Sequence, residues 1–265
     1  MTGIERIKNA FINGHKAFMP YAVLGYPNRQ SSIEVIKTLV EAGADLLELG
    51  IPFSDPLADG PTIQAATQKS LENGTTVKDC LAIIRELRQQ GIKTPALLMG
   101  YINPMLAYGL AQFVTDAASA GADGFIVVDL PPEEAAELEA LCYEHGLALV
   151  YLLAPTSTPE RIKLAAEKSQ GFIYLVSLTG VTGTRNELAV GLSDFITRVR
   201  TQTDTPLAVG FGIGNGEQAR AVAQLADGVV VGSALVKRAA ESLESVRDLA
   251  TELRAALANL PARAK

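Results

Sequence analysis

The chain has 265 residues, 48% of them apolar and 20% charged, and a net charge of −6. Such a composition supplies a packed core and argues against disorder. The charge is dispersed, with no lysine or arginine block to neutralise a phosphate backbone, so nucleic acid is a poor partner.

The opening residues Met1 to Phe11 place Ile4, Ile7 and Phe11 on one helical face. They lack the apolar core and cleavage site of a secretory signal, which points to a cytoplasmic protein. The longest apolar run, Leu147 to Pro155, falls well short of the ~20 residues of a membrane helix and reads as a buried strand. Cys80 and Cys142 each sit alone in an amphipathic pattern and read as reduced packing residues; His15 and His145 are equally isolated.

One spelling recurs three times: Ala42-Gly43-Ala44-Asp45, Ala120-Gly121-Ala122-Asp123 and Ala226-Asp227-Gly228, each before an apolar run. Glycine there closes a helix in a left-handed turn, and the strand that follows is apolar on both faces, as helix-covered parallel strands are. Strands are expected near 18–24, 45–50, 95–99, 123–129, 148–153, 171–176, 206–210 and 228–232. Helices are expected at 30–42, 76–90, 106–120, 133–145, 158–168, 193–202, 215–225 and 241–258. Eight strand–helix pairs with short connections predict a single (β/α)8 TIM barrel spanning 1–265, an α/β fold, with an extra N-terminal helix over its open bottom.

Active sites of this fold lie at the C-terminal ends of the strands. Alternation along the second strand sets Leu46, Glu48 and Gly50 on one side and Leu47, Leu49 and Ile51 on the other, so Glu48 points into the barrel mouth. Desolvation there raises a carboxylate's pKa toward the working pH and suits it to proton transfer. No arginine ends any of the eight strands to neutralise it. The next loop carries Asp55 and Asp59 between Pro52, Pro56 and Pro61; either brings a second acid over the mouth, although Asp-Pro and Asp-Gly are also ordinary turn dipeptides. Tyr174, on the same face of its strand as Phe172 and Val176, offers a hydroxyl to substrate or to Glu48, or else packs in the core.

Glycine-rich segments follow the last three strands: Gly180-Val181-Thr182-Gly183, Gly210-Phe211-Gly212-Ile213-Gly214 and Gly232-Ser233-Ala234. Their convergence predicts a phosphate-bearing ligand held by backbone N–H groups. No lysine ends a strand as a Schiff-base former, and no histidine–carboxylate cluster has metal-ligand spacing. Carboxylate proton transfer on a phosphorylated substrate remains.

The run from Glu48 to Gln64, ELGIPFSDPLADGPTIQ, resembles the signature of the tryptophan synthase α subunit. Met99-Gly100-Tyr101-Ile102-Asn103-Pro104, Gly180-Val181-Thr182-Gly183 and Gly210-Phe211-Gly212-Ile213 are similar to further landmarks of that family. The resemblance implies a lyase cleaving indole-3-glycerol phosphate to indole and glyceraldehyde 3-phosphate, without metal or cofactor. It implies Glu48 as the main acid/base, Asp59 against the indole N–H, and Tyr174 positioning Glu48 and substrate. Tyr21, Ile63, Met99 and Ile126 match indole-pocket positions, with Tyr101 and Phe211 also on the substrate. The phosphate would rest on Gly183, Gly212, Gly232 and Ser233, under a closing lid containing Thr182. The resemblance further implies a β-subunit partner that carries pyridoxal phosphate, in an α2β2 heterotetramer, with Asp55, Pro56, Asn103 and Pro131 in the contact region. Tyr26 and Leu178 depart from residues common in the family. Three other readings stay open at this point: a non-catalytic barrel that activates a partner, a stand-alone indole-releasing lyase, and a sugar-phosphate isomerase or epimerase.

Overall fold

The computed structural model describes residues 1–176, 185–210, 212–258 and 260. The elements run in chain order as α1 (Gly3–Asn9), β1 (Ala17–Val23), α2 (Arg29–Glu41), β2 (Leu47–Gly50), α3 (Pro61–Glu72), α4 (Val77–Gln89) and β3 (Ala96–Gly100). They continue with α5 (Ile102–Tyr108), α6 (Leu110–Ala120), β4 (Gly124–Val127), α7 (Ala136–His145), β5 (Ala148–Val150), β6 (Leu152–Leu153) and α8 (Pro159–Lys168). The last are β7 (Ile173–Val176), α9 (Arg185–Arg200), β8 (Leu207–Gly210), α10 (Gly216–Ala223), β9 (Gly228–Val231), α11 (Ser233–Glu241) and α12 (Leu243–Leu257).

All strand pairs are parallel, in the order β5-β4-β3-β2-β1-β9-β8-β7-β6. The two ends of that order, β5 and β6, are separated by Tyr151 alone, whose carbonyl accepts from Tyr174 N at 3.1 Å. The sheet therefore closes on itself as an eight-stranded barrel whose fifth strand is interrupted at one residue. Every strand position expected from the sequence is occupied.

Alternation along the strands divides the apolar side chains into two cores. Phe18, Leu47, Leu49, Leu98, Phe125, Leu175 and Val229 face outward onto the helices. Met19, Leu46, Leu97, Ile126, Val150, Phe172, Ala208 and Val230 fill the barrel interior. The N-terminal helix plugs the bottom, as its amphipathic face predicts: Ile7 is fully buried in the inner core, and the Phe11 ring lies 5.6 Å from that of Phe172.

The recurring aspartate has a structural role at that end. Asp45 Oδ2 accepts from Phe18 N, Asp123 Oδ2 from Ala96 N and Asp227 Oδ2 from Leu207 N, each at 2.8 Å. The N–H of each aspartate in turn donates to the carbonyl of that same strand residue at 2.9 Å. An arginine from an outer helix completes each clamp: Arg254 on Asp45, Arg88 on Asp123 and Arg200 on Asp227. The first two repeats carry the expected left-handed glycine, Gly43 and Gly121, at φ of 93° and 95°. In the third, α10 ends without one; Gly228 opens β9 instead, where a Cβ would meet Met19 and Phe11.

Four helical boundaries differ from expectation. α3, not foreseen, buries only Ala66, Thr67 and Ser70, side chains too small to write an apolar stripe. α9 begins at Arg185 rather than near 193. The segment expected at 106–120 is two helices, α5 and α6, broken at Gly109 with φ 94°. The segment expected at 241–258 is α12, preceded by a separate α11 that ends where Ser242 turns extended.

Candidate active site

Leu47 and Leu49 turn β2 toward the helices, which leaves Glu48 inside the barrel at 1% exposure. Its register neighbours are Tyr21 on β1 and Leu97 on β3. Neither carboxylate oxygen has a hydrogen-bond partner among the described residues. Burial, and secondarily the charge of Asp59, push its pKa up to about 8. A carboxyl in that state holds its proton at neutral pH and releases it readily when a ligand changes the field around it.

Asp59 reaches the same space from the loop 51–60. Tyr101 clips that loop: its hydroxyl accepts from Ala58 N at 2.9 Å and donates to Asp59 Oδ2 at 3.2 Å. The Gln64 amide donates to the Asp59 carbonyl at 2.9 Å, and Phe53 stacks on Tyr101 with ring centroids 5.3 Å apart. Burial raises the Asp59 pKa, and the Tyr101 hydrogen bond opposes that rise.

Tyr174 points inward from β7 and is nearly fully buried. Burial and the nearby Glu48 carboxyl hold its phenol well above the usual range, so it remains an O–H donor. A Cβ on Gly210 would stand 2.1 Å from the Tyr174 hydroxyl, so the absent side chain at the end of β8 makes room for the phenol.

A cavity of about 270 Å3 joins these groups. Glu48, Asp59, Tyr174 and Tyr21 line it with Ile63 and Met99, and Gly212, Gly232 and Ser233 reach it from the ends of β8 and β9. Ser233 opens α11, whose N-terminal N–H groups and dipole favour an anion. Gly212 has φ 76°, a left-handed backbone that favours glycine.

Two expected pocket residues stand elsewhere. Tyr101 acts on Asp59 from behind, and Ile126 is fully buried in the inner core, lining neither this cavity nor its neighbour. The reason is register along β4: Val128, two residues nearer the mouth, is the one that emerges. A second cavity of about 540 Å3, sharing Asp59 and Met99 with the first, is lined by Val128, Leu152 and Val176. Val128 and Leu152 escaped the sequence reading, although period-two extension of Ile126 and Val150 on the inner face points to both. Thr182, Gly183 and Phe211 lie outside the described residues, as does Leu178. Tyr26 is half-buried against the inner core. Among the described residues, no three His, Cys, Asp or Glu side chains converge as metal donors, and no helix is long and apolar enough to cross a membrane.

The family model described as "Tryptophan synthase alpha chain" matches residues 7–265. The tryptophan synthase alpha chain of Chloroflexus aggregans is 54% identical over 226 residues, 85% of either chain. That of Roseiflexus castenholzii is 52% identical over 237 residues, covering 88% of this chain and 91% of the relative. Among solved structures, tryptophan synthase subunit alpha from Legionella pneumophila superposes with a TM-score of 0.90 at 36% identity, over 98% of this chain and 100% of that one. An aminoacrylate-bound tryptophan synthase from M. tuberculosis matches with a TM-score of 0.88 at 38% identity, covering 97% and 100%.

Proposed function

The chain belongs to the tryptophan synthase alpha chain family, and on that premise we propose that it is the lyase that splits indole-3-glycerol phosphate into indole and glyceraldehyde 3-phosphate. Glu48, protonated at rest, gives its proton to indole C3. The positive charge this creates on the ring lies toward Asp59, whose carboxylate accepts the indole N–H. The Glu48 carboxylate then takes the proton of the hydroxyl on the carbon bonded to C3. The oxygen electrons form the aldehyde, the carbon–carbon electrons return to the ring, and Glu48 regains the proton it gave. No metal, redox or covalent step is needed, and this chain carries no cofactor of its own.

Tyr174 steadies the carboxyl, Met99 and Ile63 hold the ring, and the N–H groups at Gly212, Gly232 and Ser233 hold the phosphate. Gly183 would join them, with Thr182 in the closing lid. The observation that carries the reading is Glu48: a buried acid whose two oxygens have no partner among the described residues, facing a second acid across a cavity. A solely structural carboxylate in such a place is paired.

The reading extends to a cytoplasmic single-domain barrel that docks a pyridoxal-phosphate β subunit in an α2β2 assembly. Its support is the rim, where Asp55 and Asn103 are exposed beside half-buried Pro56 and Pro131. Leu57, in the same rim loop, is 93% exposed, and Phe53, Pro56, Leu57 and Gln64 line an open groove.

The test is indole release from indole-3-glycerol phosphate, alone and with a β subunit, for the parent chain and Glu48→Gln. The amide leaves size and burial alone while removing the proton, so turnover should fall by about 10²–10⁴-fold. Equal turnover would sink the reading.

A further inference from the structure

The phenol of Tyr21 has a seat that packing alone does not account for. A Cβ on Gly50 would lie 2.1 Å from the Tyr21 hydroxyl oxygen and 2.7 Å from its ring carbon Cζ, so the bare backbone of Gly50 is what admits the oxygen. Gly50 lies two residues beyond Glu48 on the same inner face of β2, and Tyr21 is the register partner of Glu48 on β1. Two residues of strand span about 6.6 Å, a gap that a glutamate side chain with three torsions covers by changing rotamer.

Among the described residues, the side-chain donors that line the cavity beside Tyr21 are the hydroxyls of Tyr174, Thr62 and Ser233. Asp59 comes from the loop after β2 and Tyr174 from β7; β3 offers only Leu97 and Met99, and β9 only Val230. Among the described residues, no basic side chain lines the cavity. Asp59 accepts rather than donates, and its own partner is Tyr101. Burial and the charges of Asp59 and Glu48 keep the Tyr21 phenol protonated.

We propose that Tyr21 is a positioning residue for the acid–base step: its O–H, seated over Gly50, is the donor that the Glu48 carboxylate takes when it ionises, complementing Tyr174 across the barrel. The inference rests on the reading of Glu48 as the proton carrier and adds to the aromatic face of Tyr21 a polar role. Tyr21→Phe removes one oxygen and keeps the ring.

The test is an infrared titration of the ligand-free chain, with the Glu48 carboxyl band assigned by its loss in Glu48→Gln. In Tyr21→Phe the carboxylate has lost a donor, so the Glu48 midpoint should rise by roughly one pH unit. The limb of the kcat/KM profile for indole release that reports Glu48 should move by the same amount, with circular dichroism unchanged. Gly50→Ala, which unseats the phenol while keeping it, should move the midpoint in the same direction. An unmoved midpoint in Tyr21→Phe would overturn the inference. A moved midpoint in a chain that releases no indole would uphold it and sink the assigned reaction instead.

Discussion

Tyr101 and Asp59, 42 positions apart, are joined by a hydrogen bond of 3.2 Å in which the phenol donates to Oδ2, while the phenol oxygen itself accepts from Ala58 N. One side chain thereby fixes both the backbone of the loop and the direction of its acid. Tyr101→Phe removes both bonds and keeps the ring contact with Phe53. Turnover should fall about 10-fold through misplacement of Asp59, with little change in unfolding midpoint; steady-state indole release and a urea titration check this.

Glu48 also imposes a pH dependence on stability. Its pKa stands near 8 in the folded chain against an ordinary 4.5. Between those values the folded state binds the proton that the unfolded state has released, so stability falls as pH rises from about 4.5 to about 8, then levels. Glu48→Gln removes that slope. The variant should match the parent near pH 5 and exceed it at pH 9 by an amount on the order of a few kcal/mol, measured by urea unfolding at the two pH values. Parallel curves for the two proteins would contradict the burial of a titrating carboxyl at this position.

Gly210 is predicted to be intolerant for a reason specific to the site. The Cβ of Gly210→Ala would fall 2.1 Å from the Tyr174 hydroxyl and 2.6 Å from its Cζ, so the phenol must leave its place in the site. A displacement of about 1 Å costs on the order of 100-fold in rate. Kinetics of the variant, with a thermal melt to establish folding, test the contact.

The basal clamps should matter for stability and not for chemistry. Asp123 is 1% exposed, accepts from Ala96 N and pairs with Arg88 and Arg6. Asp123→Ala leaves the Ala96 N–H without its acceptor and takes from Arg88 and Arg6 the carboxylate they share, and about 3 kcal/mol of stability should be lost. Asp45, with 21% of its side chain exposed beside Arg254 at 24%, should lose less, about 1–2 kcal/mol. Urea denaturation of both variants gives the order, and the folded fraction of each should keep parental kcat.

Much of the barrel can be read along the chain because a parallel strand covered on both sides must be apolar on both sides, and each such run stands out between helical periods. Glu48 is legible for the same reason, as the one charge on the inner face of such a run. α3 is illegible because it packs through Ala66, Thr67 and Ser70, small side chains that resemble those of a surface loop. Ile126 lies fully buried in the inner core while Val128, two residues on, lines the second cavity, because strand direction is periodic but the height at which a cavity begins is not encoded in the period.

By itself, the sequence determined the order of the eight strands, the inward direction of Glu48 and the three aspartates at the strand starts, since period two and glycine chemistry are local. Only the tertiary structure decided what those groups meet. Arg254 reaches Asp45 from 209 residues away, Tyr101 turns Asp59 into the mouth, and Gly50 and Gly210 admit the phenols of Tyr21 and Tyr174. Each of these depends on closing the sheet into a ring, which brings together residues whose separation along the chain carries no record of their distance in space.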